Sequence, residues 1–284
     1  MIKPSFYIRS QNSLKEDTRQ QRLLLEVNAN SLGYILFDVK KMVPSVIKHY
    51  QFTANNEKLL EELLQEILDG DELLSKDVEE IFLVYNFEES NLVPEKFFSQ
   101  DAVRDITDLV HGNLHRGTIF NEKIPWWELY NVYRVSSDVD ALFRQKFSSV
   151  KTWHAYSLLL KSYKMFHAKE NPLWMNAVFY EDRMIVSVFK DSKLQLIQTF
   201  VYQDRKDVLY HLLNCCQQFD IDKEKLVLEI SGLIDKQSAL FTELQKYFLN
   251  ISFEEINGNI VITDELKEYP LHYFSSLLRM AVCV

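Results

Sequence analysis

Met184-Ile185-Val186-Ser187-Val188-Phe189, Lys190-Asp191-Ser192-Lys193 and Leu194-Gln195-Leu196-Ile197-Gln198-Thr199-Phe200-Val201-Tyr202 decide the fold. Two β-rich runs flank a polar turn. Ala177-Val178-Phe179-Tyr180 is a third run just before them, and Glu181-Asp182-Arg183 turns the chain between. Beyond the hairpins, Val208, Leu209, Leu212, Leu213 and Cys216 recur at helical spacing, with Asp204 placed to cap. Residues 226–230 are a compact apolar run of the kind a buried parallel strand shows. Ser231-Gly232 ends that run, and residues 238–248 resume helical spacing. Residues 176–250 therefore predict hairpin, third strand, helix, strand, helix.

An earlier stretch, residues 22–98, reads the same way. Residues 23–27, 34–37 and 46–52 predict three strands, with turns at 28–31 and 38–41. Residues 56–68 predict a helix with Leu59, Leu60, Leu63, Leu64, Ile67 and Leu68 on its apolar side. Residues 81–85 predict the buried strand. Few identities survive between the copies, so the repeat is one of pattern.

The rest of the chain follows in order. Ile2, Phe6, Tyr7 and Ile8 can add an edge strand ahead of the first copy. Residues 100–114 predict a helix with Val103, Ile106, Thr107 and Val110 on one side. Residues 118–120 and 132–135 predict strands around Pro125-Trp126-Trp127, and 138–147 a helix. Residues 151–167 predict a longer helix, from Trp153, Tyr156, Leu160, Tyr163 and Phe166. Asn171-Pro172 is the expected boundary, because the residue before proline resists helix. This divides the chain into a first lobe, 1–170, with an inserted segment, and a second lobe, 171–284. Residues 260–262 predict a strand and 270–282 a final helix.

Composition narrows the function classes. The chain has 284 residues, 47% of them hydrophobic, with only 6 Gly and 6 Pro. That suits packed cores and leaves few positions for glycine-rich ligand loops. No apolar run approaches the roughly 20 residues a membrane helix needs. Cys215, Cys216 and Cys283 fit a reducing cytoplasm. The net charge is −9. Acidic residues are densest over 57–108, which disfavours nucleic acid as a partner.

The stretches Leu228-Glu229-Ile230-Ser231-Gly232-Leu233 and Phe274-Ser275-Ser276-Leu277-Leu278-Arg279-Met280-Ala281 resemble the adenosine-side turn and terminal helix of the actin-like ATPase superfamily. That superfamily includes sugar kinases, heat-shock chaperones and actin. The whole chain is similar to an uncharacterised bacterial domain-of-unknown-function family with this fold. The resemblance implies an α/β protein of duplicated ribonuclease H-like units, in two lobes with mixed sheets flanked by helices. It also implies where a nucleotide would sit: at Glu26 and Asn28 in the first hairpin, and at Ser231 and Gly232. The superfamily places Asp and Gly in that first hairpin. Here Glu26 and Asn28 stand instead, and a side chain obstructs the backbone's approach to phosphate. The second hairpin, Phe179-Tyr180-Glu181-Asp182-Arg183-Met184, has no glycine either.

These departures predict vestigial cleft positions, no catalytic residues, no metal and no cofactor. The expected function is a non-catalytic binding or scaffold protein, cytoplasmic, with a protein partner and no membrane insertion. The alternative is a divergent ATP-dependent phosphotransferase or ATPase using ATP and magnesium. Other candidates are weaker. His111 and His115 have i, i+4 spacing, with Asp108 or Glu122 as a further ligand, but Gly112 weakens the helix between them. Asp69, Asp71 and Glu72 around Gly70 read as a capped helix end. Trp126, Trp127, Tyr130 and Tyr133 form the densest aromatic stretch, expected in the core or, if exposed, as a partner surface.

Overall fold

The computed structural model describes residues 2–11, 18–54, 58–113, 117–166, 172–256 and 259–284. The chain divides into two compact units. The first gathers Met1–Lys164, Asn259–Leu266 and Met280–Val284; the second gathers Met165–Gly258 and Lys267–Arg279.

The first unit opens with β1 (Phe6–Arg9), β2 (Arg22–Val27), β3 (Ser31–Asp38) and β4 (Val43–Gln51). Helix α1 (Leu60–Gly70) and β5 (Glu80–Tyr85) follow. An insert then carries β6 (Ser90–Pro94), α2 (Val103–His111), β7 (Thr118–Ile124) and β8 (Leu129–Val135) as a separate sheet ordered β6-β8-β7. The main sheet resumes through α3 (Ser137–Lys146) and β9 (Lys151–His154), which leads into α4 (Ala155–Phe166). Its order is β1-β4-β3-β2-β5-β9. Every residue of β3 is buried, as a central strand covered on both faces requires. Leu63, Leu64, Ile67 and Leu68 give α1 its buried stripe, packed with Leu25, Tyr34 and Phe143 in one cluster.

The second unit holds β10 (Leu173–Phe179), β11 (Arg183–Lys190), β12 (Lys193–Val201), α5 (Arg205–Gln218), β13 (Val227–Gly232), α6 (Ala239–Leu244) and β14 (Asn250–Phe253). Two short helices complete the chain, α7 (Asp264–Lys267) and α8 (Ser275–Cys283). The sheet order is β12-β11-β10-β13-β14. With β1 set aside, both sheets run third, second, first, fourth, fifth. The first three strands of each are antiparallel and the later ones add in parallel. The duplication extends to an irregularity. In β4 the register jumps between Val46 and Pro44, leaving Ser45 as the extra residue. In β12 it jumps between Leu196 and Leu194, leaving Gln195.

Several elements differ from the sequence reading. Residues 151–154 are a strand, not the start of a helix. They pair in parallel with Phe82–Tyr85, and that pairing overrides the helical spacing of Trp153 and Tyr156. Residues 260–262 form no strand; Val261 donates one backbone bond to Met42 and the run stops there. The helix expected to reach residue 248 ends at Leu244. The final helix begins only at Ser275, after a 3-10 turn over Leu271–Tyr273. Val110, expected on the apolar side of α2, is 60% exposed. Asn56, His115 and Asn171 lie outside the described residues.

Candidate functional site

The parallel strands of the first unit end together. Val27, Tyr85 and His154 are aligned in one row at the C-terminal ends of β2, β5 and β9. Strand order reverses between β2 and β5, and in open α/β sheets ligands bind beyond the strand ends at such a point. Glu26 and Asn28 flank this row. Asn28 is buried, and its side chain is spent on the turn. Its Oδ1 accepts from the backbone N–H of Asn30 at 2.8 Å and of Ser31 at 2.7 Å, while its Nδ2 donates to Ser31 Oγ at 2.8 Å. This is the local bonding asparagine offers a turn. Glu26 Oε1 accepts from Asn86 Nδ2 at 2.9 Å, and Asn86 N–H donates to Val27 O at 2.9 Å.

A second polar group lies at the end of β9. Tyr133 Oη donates to Glu122 Oε1 at 2.5 Å, and the backbone N–H of His154 donates to Glu122 Oε1 and Oε2 at 3.0 and 3.2 Å. Asn131 bridges Ser90 and Ser157 beside it. Burial pushes the Glu122 carboxyl up to about 7, against the Ser157, Tyr133 and His154 hydrogen bonds that lower it. The His154 ring is fully buried, with Nε2 3.0 Å from Phe87 O, and burial holds it down at about 4. It is a neutral imidazole at pH 7.

Asp108 or Glu122 was the further ligand that the weaker His111–His115 metal candidate would have needed. The Glu122 carboxylate is engaged by Tyr133 and His154 instead, and Asp108 pairs with Arg134 at 2.9 Å. Among the described residues no group of three His, Cys, Asp or Glu could hold a metal. Asp71 is a cap: it accepts from Leu73 N–H at 3.1 Å and also from Tyr34, Tyr50 and Lys48. Its burial would raise the carboxyl, but these donors outweigh it and the net shift is downward.

Glu122 gives a pH test. Its proton leaves near pH 4.5 when unfolded and near 7 when folded, so over that window the folded chain binds the proton more tightly. Stability from this group is whole below about pH 4.5 and is lost as pH rises to about 7. Glu122→Gln is expected to be more stable than the parent by on the order of 2 kcal/mol at pH 8, and about equal at pH 4. His154 has the opposite slope, and it cancels in the difference. Urea unfolding of both proteins at the two pH values checks this.

Ser231 and Gly232 belong to the second unit, at the corresponding C-terminal strand ends of its sheet. Phe179 and Gly232 are aligned on β10 and β13. Gly232 has φ of +77°, and a Cβ built there would overlap the Phe179 carbonyl oxygen. Leu233 N–H donates to that same oxygen at 2.8 Å. Ser231 is fully buried, its Oγ 3.3 Å from Ser276 Oγ on α8. Behind Ser276, Arg279 Nη1 donates to Glu254 Oε1 at 2.5 Å, and Ser275 Oγ donates to Glu254 Oε2 at 2.5 Å. In the β10–β11 hairpin, Tyr180 N–H donates to Arg183 O at 2.8 Å, and Asp182 pairs with Arg183 at 2.9 Å.

The aromatic stretch of the insert splits. Tyr133 is buried, Tyr130 stacks on Phe98 at 3.7 Å, and Trp127 Nε1 donates to Leu160 O at 2.9 Å. Trp126 is left 53% exposed, and Phe97 is 68% exposed. Phe97 follows β6 directly and Trp126 sits in the β7–β8 turn. Pro94 and Ile124 are both aligned with Leu129, so the two rings occupy one end of that sheet.

Residues 10–251 match the family described as "Protein of unknown function (DUF3822)". No curated protein matches the chain. A Bacteroides thetaiotaomicron protein with actin-like ATPase fold and unknown function is similar in structure. The TM-score is 0.75 at 13% identity, over 92% of this chain and 96% of that one. A chain of the PilM-PilN type IV pilus biogenesis complex is also similar, with TM-score 0.56 at 11% identity, over 93% and 98% of the two chains. With the doubled strand order, these likenesses establish an actin-like ATPase fold.

Proposed function

This chain belongs to the DUF3822 family of proteins of unknown function, and from that premise we propose that it is a non-catalytic binding protein that holds a protein partner. The observation that carries the reading is the Asn28 turn. An actin-like fold that binds nucleotide needs open backbone at its first hairpin, and Asn28 fills that turn with its own side chain. The second hairpin adds Glu181 and Asp182, two carboxylates where phosphate charge would have to sit. Glu26, Asn28, Ser231 and Gly232 are vestiges in this reading, and no cofactor or metal is used.

Two observations support a protein as the partner. Phe97 and Trp126 offer exposed aromatic surface of the type protein interfaces favour. The similar fold in the PilM-PilN complex is found in a protein assembly. Among the described residues no helix is long and apolar enough to cross a membrane. Cytoplasmic residence fits three buried cysteines that form no disulfide. Burial pushes the Cys215 thiol up to about 12 and the Cys216 thiol up to about 11, which keeps both unreactive.

Calorimetry and thermal shift with magnesium ATP and magnesium ADP test the proposal. At millimolar nucleotide the expected result is no saturable heat and no change in Tm. Turnover that survives purification and vanishes in Glu26→Gln would establish the alternative, a divergent phosphotransferase or ATPase.

A further inference from the structure

We propose that β12 is the contact edge of a homodimer, in which two copies pair antiparallel about a two-fold axis at Gln198. In the first unit the third strand, β4, does not end its sheet. β1 covers it, pairing antiparallel with residues Val46 to His49. In the second unit the equivalent strand, β12, is the outermost strand of its sheet, and no described strand covers it. The matching extra residues, Ser45 and Gln195, align the two strands. Val46 then corresponds to Leu196 and His49 to Thr199. The segment that takes an added strand in one copy of the fold is the outer edge of the other.

Soluble proteins blunt such edges with charge, proline or a strong irregularity. After Lys193, its first residue, β12 contains no charged residue and no proline. The irregularity at Gln195 is present, but its counterpart at Ser45 does not prevent β1 from pairing. The edge is thus built like one that is covered.

The sequence says what covers it. Leu196-Ile197-Gln198-Thr199-Phe200 is a palindrome in chemical type: large apolar, β-branched, Gln, β-branched, large apolar. Antiparallel pairing about Gln198 sets Leu196 opposite Phe200 of the second copy, Ile197 opposite Thr199, and Gln198 opposite itself. Directly opposed residues share a face of the sheet, so like meets like on both faces. Leu196 and Phe200 are only partly buried, as are Leu209 and Leu213 on α5 alongside. Val201, on the opposite face of the strand, is 50% exposed, and Tyr210 on α5 is 64% exposed. A second copy covers this apolar shelf with its own, and a two-fold contact of this kind closes on itself.

Sedimentation velocity over a concentration series, with the full chain, is the experiment. The parent protein is expected to pass from monomer to dimer. Gln198→Lys and Gln198→Glu each set like charges against each other at the axis, and each should weaken the dimer by roughly tenfold or more. An equimolar mixture of the two should restore it, since opposite charges then meet. If either variant fails to fold by circular dichroism, Val201→Lys at the exposed end of the strand replaces it and should weaken the dimer likewise. Hydrogen exchange should show β12 amides slowing as the dimer forms. A parent protein that stays monomeric throughout overturns the proposal, including the case where β12 takes a strand from another protein. A dimer that ignores the charge variants overturns it as well.

Discussion

Gly232→Ala is expected to destabilise the protein by roughly 3 kcal/mol or more, a fall in Tm on the order of 10 °C. Two costs add. Alanine at φ of +77° is strained wherever it stands. Here the new methyl also meets the backbone of Phe179, overlapping its carbonyl oxygen and lying 2.9 Å from its nitrogen and carbonyl carbon. No side-chain rotation relieves a clash with backbone. Relief has to come from spreading β10 and β13 where Phe179 and Gly232 are aligned, or from breaking the Leu233-to-Phe179 hydrogen bond. Nucleotide titrations of the variant should stay as flat as those of the parent. A large loss of stability with ATP binding unchanged is what a structural glycine gives. A variant as stable as the parent would sink this account.

Arg279→Met is expected to cost about 3–5 kcal/mol, because it strands Glu254. Both side chains of that ion pair are 1% exposed. Arg279 also donates to the Glu255 carbonyl at 2.6 Å, so the substitution removes a backbone tie too. Ser275 still donates to Glu254, but one neutral hydroxyl does not replace a guanidinium. The double variant Arg279→Met, Glu254→Gln removes the charge as well as its partner. It should recover a substantial part of the loss, since much of the cost of breaking a buried pair is the uncompensated charge left behind. Denaturant unfolding of the two variants separates the terms. Equal losses in both would mean that Arg279 acts through packing, for instance against the Phe166 ring 5.6 Å away, rather than through charge.

Element order was legible because each hairpin carries its own turn chemistry and each buried strand its own apolar run. Ala177 to Val201 needs no distant contact to read as three strands. Residues 151–154 needed β5, which lies far earlier in the chain, and their aromatic spacing imitates a helix. Residues 260–262 carried strand composition without a ladder to join. At the candidate site the same division holds. Asn28 bonds to residues two and three positions on, so its turn can be read from sequence. Glu122 cannot be read so. Its partners Tyr133 and His154 lie 11 and 32 residues away, and its perturbed acidity exists only once the insert has packed on β9. The lone trace in the sequence is an acidic residue in an otherwise strand-like stretch.

The first unit is not contiguous, and this sets the order of events during synthesis. Residues Met280–Val284 belong to it, with Arg22 Nη1 donating to Val284 O at 3.0 Å and Lys161 Nζ donating to Cys283 O. The ribosome delivers these groups only after every residue of the second unit has emerged. The unit that starts first must therefore wait, partly open, while the later one has all its strands in hand. A fragment cut at residue 170 reproduces that waiting state permanently, because it lacks the Val284 and Cys283 carbonyls that Arg22 and Lys161 bond.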